Sequence, residues 1–324
     1  MKKFNHKILW IILLNICTLW LSSTEMIDSK ESESPLNEDL VFNTPLKAQP
    51  IEDFFLITIP KSGSHLLVKA LVMISDLYPY GLHDLHPLLP NINEETFEKA
   101  ILGCKESNHF AFNHTGLYGD FFKVFSKKHP EYVQLLMIRD LRDIFVSYVY
   151  HVNQSIEEQY GPFLTFGEKL DVVLDIAHYP VSKELEKDII VAIEWLNDPK
   201  TIVNRFEELV GESGGGSNIL QLEALKKLMC QLGIDLPEDK IIEIQENLFG
   251  IETGPQNVSG TFRCGKIGSW KSHFKPHHIE LFKKYWAHYQ SALNYSLDFE
   301  SVQPPPIKRK IKTYRPSRVQ QKVL

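Results

Sequence analysis

The sequence predicts an α/β protein in which a parallel sheet is flanked by helices. Two observations carry this. Short, mostly apolar runs of strand length recur at 54–59, 109–113, 132–138 and 200–206, without the polar alternation of a sheet that faces water. Between them lie longer stretches with helical spacing, so strand and helix alternate, as in parallel sheets built by crossover helices. A hydrophobic fraction of 43% with 11% aromatics is enough for a well-buried core.

Taken in order, the chain starts with a separate unit. Lys2, Lys3 and Lys7 precede an apolar run from Ile8 to Leu21, and Ser22-Ser23-Thr24 follow. A basic flank, a short apolar stretch and small residues describe a signal peptide over 1–24 or, if retained, a type II membrane anchor. Either places the protein in the secretory pathway or at a membrane. Residues 25–50 are acidic and poor in aromatics, with Glu31, Glu33, Glu38 and Asp39 among Ser and Pro, and read as a linker. The globular domain then spans 51–300. Pro304-Pro305-Pro306 opens a basic, solvated tail over 301–324.

Within the globular part the helix candidates are 65–77, 117–128, 140–151, 184–197, 218–232, 238–248 and 276–293. In the third, Leu141, Phe145 and Val149 recur at i, i+4 and i+8, with Ile144 and Tyr148 beside them, which makes one apolar face. Gly214-Gly215-Gly216 marks a flexible surface loop over 211–218. The four cysteines, at 17, 104, 230 and 264, have neither metal-like spacing nor a disulfide pattern. A net charge of −6 excludes a general nucleic-acid binder.

Ligands of an open parallel sheet gather at the carboxyl ends of its strands. After the first strand come Pro60-Lys61-Ser62-Gly63-Ser64-His65 and then an apolar helical stretch. A strand, a tight turn and a helix N-terminus offer backbone N–H groups and positive potential to an anion. Lys61 adds a charge, and Ser62 and Ser64 add hydroxyls. The Lys precedes the Gly, so this is not a Walker A loop. His114 follows the strand at 109–113 and is a candidate general base at neutral pH, or else a structural histidine. Arg139 ends the strand at 132–138, with Ser147 two turns into the next helix, and the pair suits a second phosphate. The alternative for Arg139 is an Arg–Asp pair at the helix start, with Asp140 or Asp143. A third basic patch, Thr261 to Lys271, holds Arg263, Gly265, Lys266, Gly268 and Trp270 and is suited to closing over anionic oxygens.

Jointly and in this order, these stretches resemble the sulfotransferases that use 3′-phosphoadenylyl sulfate (PAPS). Pro60 to Leu67 is similar to their 5′-phosphosulfate loop. Ile138 to Asp143 followed by Ser147 is similar to their 3′-phosphate motif. Arg263-x-Gly265-x-x-Gly268-x-Trp270-Lys271 is similar to their R-K-G-x-x-G-x-W-K signature, and Arg205 to Leu209 to their Y/F-E-D/E-L segment. The resemblance spans about 54–290. It implies a P-loop NTPase-like parallel sheet flanked by helices, and transfer of a sulfonyl group to a hydroxyl or amine with no metal. By the same resemblance, Lys61, Ser62, Gly63, Ser64 and His65 hold the 5′-phosphate end, with Lys61 also catalytic. Arg139, Ser147, Arg263 and Gly265 hold the 3′-phosphate, Phe206 lies near the adenine, and His114 is the base.

Three residues depart from the family pattern: Leu66 in place of a stacking Trp, Phe112 in place of a Lys, and Cys264 in place of a loop Lys. The two lost lysines define the competing reading, a relative that holds the nucleotide without turnover. The expected acceptor is a small molecule or glycan, met by loops over 78–108 and 152–182. Asn113-His114-Thr115 is formally a glycosylation sequon.

Overall fold

The computed structural model describes residues 51–81, 93–116, 119–250 and 265–299. The expectations for 1–24, 25–50, 301–324, Arg263 and Cys264 lie outside these residues. Among the described residues, no helix is long and apolar enough to cross a membrane.

In chain order the elements are β1 Phe54–Thr58, α1 Ser64–Ser75, β2 Tyr78–Gly81, α2 Glu94–Glu106, β3 His109–His114 and α3 Gly119–Lys128. Then come β4 Val133–Ile138, α4 Leu141–His151, α5 Asn153–Tyr160, α6 Phe166–Leu174, α7 Pro180–Asn197 and β5 Thr201–Arg205. The last are α8 Phe206–Leu209, α9 Asn218–Gln231, α10 Glu238–Leu248, α11 Pro276–Tyr285 and α12 Ala287–Ala292, with 3₁₀ turns at Glu212–Gly214 and Ser269–Ser272. All strand pairs are parallel, in the order β2-β3-β1-β4-β5. The predicted α/β class is the observed one.

The sheet is buried on both faces because its strands are apolar at both odd and even positions. Phe55, Ile57, Leu136 and Ile138 point to one layer, with Phe145, Val173, Ile189 and Trp286. Phe54, Leu56, Leu135 and Met137 point to the other, with Leu67, Leu71, Leu225 and Ile244. Helices therefore cover both faces, and the carboxyl edge is left for polar chemistry. β1 is central, and the chain leaves it for β2 and β3 on one side before crossing to β4 and β5 on the other. That reversal puts the ends of β3 and β4 either side of the turn after β1, the usual position of a ligand crevice.

Several elements differ from the sequence expectation. β2 carries Pro79, which an edge strand tolerates because it has no partner on its outer side. α2, α5 and α6 occupy stretches expected to be acceptor loops. The helix expected over 276–293 breaks at Trp286, a fully buried side chain whose Nε1 donates to the Leu174 carbonyl at 2.7 Å. The Gly-rich stretch after 211 is a surface turn with a 3₁₀ segment at Glu212–Gly214, in which Glu212, Ser213 and Gly215 are exposed. Gly214 is buried, and a Cβ there would lie 2.7 Å from the Gly265 carbonyl oxygen.

Candidate active site

The turn after β1 is tight and strained. Lys61 has φ 65°, a left-handed value that is uncommon for a residue with a side chain. The Ser62 amide closes the turn by donating to the Ile59 carbonyl at 3.1 Å. Gly63 follows with φ 103° and serves as N-cap of α1. A Cβ at Gly63 would stand 2.5 Å from Cδ2 of Phe206, so this glycine answers both a torsion and a close approach.

The two serine hydroxyls of the loop turn inward. Ser62 Oγ donates to the Met137 carbonyl at 3.2 Å, tying the loop to β4. Ser64 Oγ donates to Thr58 Oγ1 at 2.7 Å. What the loop offers an anion is the positive N-terminal end of α1, together with the half-buried Lys61 and the exposed His65. Lys61 lies near His151, the last residue of α4. Protein packing on one side of that ring and the Lys61 ammonium both push its pKa below the ordinary value. The ring is also exposed, so water screens the Lys61 charge, and the downward direction is what the geometry supports.

At the other side of β1, Thr58 is in register with His114 of β3. His114 is exposed at the strand end, and its Nδ1 lies 2.9 Å from Thr58 Oγ1. The turn behind it is anchored to α7. The Thr115 hydroxyl donates to the Asp188 carbonyl at 2.6 Å, and the Gly116 amide donates to Asp188 Oδ1 at 2.5 Å. Burial raises the Asp188 carboxyl to about 6, against the lowering effect of those two donors. Asn113 is only 2% exposed, so the sequon is folded into the strand.

Arg139 is 6% exposed at the end of β4. Its NH2 donates to the Lys266 carbonyl at 2.8 Å and lies 3.6 Å from Asp143 Oδ2. Its guanidinium covers the ring of Phe206 at 3.9 Å. Its Nε is buried without a hydrogen-bond partner, the kind of donor that a bound anion satisfies. The two aspartates after it divide their work. Asp140 caps α4 by accepting from the Arg142 amide at 2.9 Å, and it pairs with the Arg142 side chain. Asp143 accepts from the Gly268 amide at 2.7 Å, the Ser269 hydroxyl at 3.0 Å and the Trp270 amide at 2.9 Å. It therefore clamps the basic segment onto α4, and the Ile267 amide holds the same segment to the Gly214 carbonyl at 2.9 Å. Ser147 is half-buried two turns along α4.

Phe206, placed near an adenine by the resemblance, is buried behind Arg139 and against Gly63. Glu207 beside it accepts from the Asp140 amide at 3.0 Å and from the Tyr295 hydroxyl at 2.7 Å. Burial outweighs those bonds and pushes its carboxyl up to about 7. Gly265 has φ 56°, and its carbonyl packs on Gly214. So Lys61, Gly63, Ser64, His114, Arg139 and Gly265 share the carboxyl edge of the sheet. Sequence reasoning missed Thr58, Asp188, Gly214 and the buttressing role of Glu207. Thr58 had a signal, a hydroxyl ending an apolar strand, while the other three gain meaning only from distant partners.

One cluster elsewhere has metal-ligand residue types. Asp171 Oδ1 lies 3.0 Å from His277 Nε2 and 3.2 Å from His278 Nε2. However, His278 Nδ1 accepts from the Lys275 amide at 2.9 Å, so in the neutral ring the proton sits on Nε2 and faces the Gly167 carbonyl at 3.2 Å, while Asp171 Oδ1 makes no hydrogen bond. A histidine held this way is a clasp between α6 and α11, not a metal ligand.

No protein-family model matches the chain, and no curated protein matches it. Among solved structures it is similar to the crystal structure of mouse sulfotransferase SULT7A1 complexed with PAP. The TM-score is 0.51 at 18% identity, over 77% of this chain and 90% of that one. The likeness establishes a shared fold, which in this chain is a five-stranded parallel sheet flanked by helices.

Proposed function

We propose that this chain is a sulfotransferase that moves a sulfonyl group from PAPS to the hydroxyl or amine of an acceptor. The observation that carries the reading is the placing of three groups on adjacent strands. The Lys61 turn follows β1, His114 ends β3 on one side, and Arg139 ends β4 on the other. The solved sulfotransferase with PAP supports the same reading through its fold.

PAPS carries two phosphates and a sulfonate, and the residues present suit them. The strained turn and the start of α1 suit the 5′-phosphate end. Arg139, with its unpartnered Nε, and Ser147 suit the 3′-phosphate, with Arg263 and Gly265 adding to it. In the transfer, His114 takes the acceptor proton as the acceptor oxygen bonds to sulfur. The bond from sulfur to the phosphate oxygen breaks, and the Lys61 ammonium faces the negative charge left on that oxygen. Little covalent help is needed, so positioning and fixed charge supply the rate. Neither role calls for a metal.

The second reading is a nucleotide-binding relative without turnover, favoured by Phe112 and Cys264 where lysines are expected. Calorimetry with 3′-phosphoadenosine 5′-phosphate, paired with labelled PAPS and a panel of phenol, sterol and sugar acceptors, separates the two. Binding with transfer supports the enzyme. Binding without transfer to any acceptor supports the second reading, and no binding removes both. The N-terminal 1–24 segment adds a proposed secretory or membrane setting, in which PAPS has to be supplied on the same side. Cell fractionation of the full chain tests that.

A further inference from the structure

Three hydroxyl and imidazole groups form a continuous chain beneath the site. Ser64 Oγ donates to Thr58 Oγ1 at 2.7 Å, and Thr58 Oγ1 lies 2.9 Å from His114 Nδ1. Thr58 is fully buried and Ser64 is 6% exposed, so water does not compete for these bonds. The chain joins the start of α1, where an anion would sit, to the ring that would act as base. We infer that Thr58 is a positioning residue for His114, and that through Ser64 an anion on the loop sets which imidazole nitrogen carries the proton. This rests on the sulfotransferase reading for its catalytic meaning, though not for its geometry.

A threonine hydroxyl has one proton and two lone pairs. With Ser64 donating to it, the Thr58 proton is directed to Nδ1 of His114. Neutral His114 then keeps its proton on Nε2, the nitrogen on the opposite side of the ring. In that form Nε2 donates and is no base. An anion at the start of α1 is a stronger acceptor for the Ser64 hydroxyl than Thr58 is. Once Ser64 turns to it, the Thr58 hydroxyl turns to Ser64 Oγ and offers a lone pair to Nδ1. The ring loses one proton from Nε2 to water and takes one from water at Nδ1, so its charge is unchanged and both hydroxyls keep their protons. Nε2 then presents a lone pair to the acceptor hydroxyl. The base becomes ready when the donor is bound.

The test reads the tautomer directly, by long-range ¹⁵N–¹H correlation on the full chain labelled at histidine. The wild-type free protein should show His114 protonated at Nε2. With saturating 3′-phosphoadenosine 5′-phosphate it should show Nδ1 protonated. Thr58→Val should abolish that change while nucleotide affinity stays within about threefold, and Thr58→Ser should restore it. In transfer assays Thr58→Val should lower kcat about tenfold or more with little change in KM for PAPS. A wild-type ring already protonated at Nδ1 without ligand overturns the inference. So does a Thr58→Val ring that switches as wild type does. Failure of the nucleotide to bind overturns the sulfotransferase reading instead, while the free-state tautomer of wild type and Thr58→Val still decides the role of Thr58.

Discussion

The guanidinium of Arg139 lies 3.9 Å above the ring of Phe206, and the edge of that ring stands 2.5 Å from where a Cβ on Gly63 would be. The turn after β1 and the charge at the end of β4 are therefore held at one spacing by a single aromatic side chain. Disturbing any of the three should move both halves of the proposed nucleotide site together.

Gly63→Ala tests this. The added methyl meets Phe206, and a φ of 103° is strained for alanine. We expect a loss of about 1–3 kcal/mol in urea unfolding. Affinity for 3′-phosphoadenosine 5′-phosphate should fall at least about tenfold by calorimetry, which converts to about 1.4 kcal/mol. Unchanged affinity would separate the turn from nucleotide binding.

His114→Ala should reduce transfer by about a hundredfold or more and leave nucleotide affinity within a few fold, because the ring ends β3, across β1 from Arg139 at the end of β4. Retained transfer would remove His114 as base. Arg139→Ala is the complement: nucleotide affinity should fall, and equal affinity would remove Arg139 from the 3′-phosphate.

Asp143→Ala removes the acceptor shared by the Gly268 and Trp270 amides and the Ser269 hydroxyl. The segment bearing Lys266 and Lys271 should then open more often. We expect faster tryptic cleavage at those lysines and weaker nucleotide binding. Cleavage at the wild-type rate would show that the Gly214 bond and the burial of Trp270 hold the segment alone.

Glu207 gives a signed pH dependence. Its folded carboxyl is held near 7 by burial, against an ordinary 4.5. Between those values the folded chain keeps a proton that the unfolded chain releases. The contribution of this group to stability is therefore greatest below pH 4.5 and is lost as pH rises through 7. The size is on the order of 3 kcal/mol. Glu207→Gln should flatten that part of a stability–pH profile measured by urea unfolding at pH 5, 6, 7 and 8. A profile that keeps its wild-type slope would mean that other groups set it.

Much of this fold is legible along the chain. Four of the five strands announce themselves as short apolar runs, and His114 and Arg139 can be placed at strand ends before any coordinates exist. Two further helices carry local cap signals that apolar periodicity does not register. α2 begins at Asn93, whose side chain accepts from the Thr96 amide, and α6 has a Thr165–Glu168 capping box. β2 was hidden by Pro79, a residue that argues against a strand until its edge position is known.

By itself the sequence determined a strand–turn–helix over 54–77, which the structure ends at Ser75, a lysine in the turn, and a histidine and an arginine each ending a later strand. Those are local matters of period, torsion and hydrogen-bonding capacity. Only the tertiary structure decided that β3 and β4 flank β1, which brings His114 and Arg139 to opposite sides of the Lys61 turn. It also decided that the Ser62 and Ser64 hydroxyls point inward, that Asp143 serves the basic segment, and that Phe206 supports Arg139. Each of those outcomes joins residues far apart in the chain, and strand order and buried hydrogen-bond partners are settled by packing across that separation.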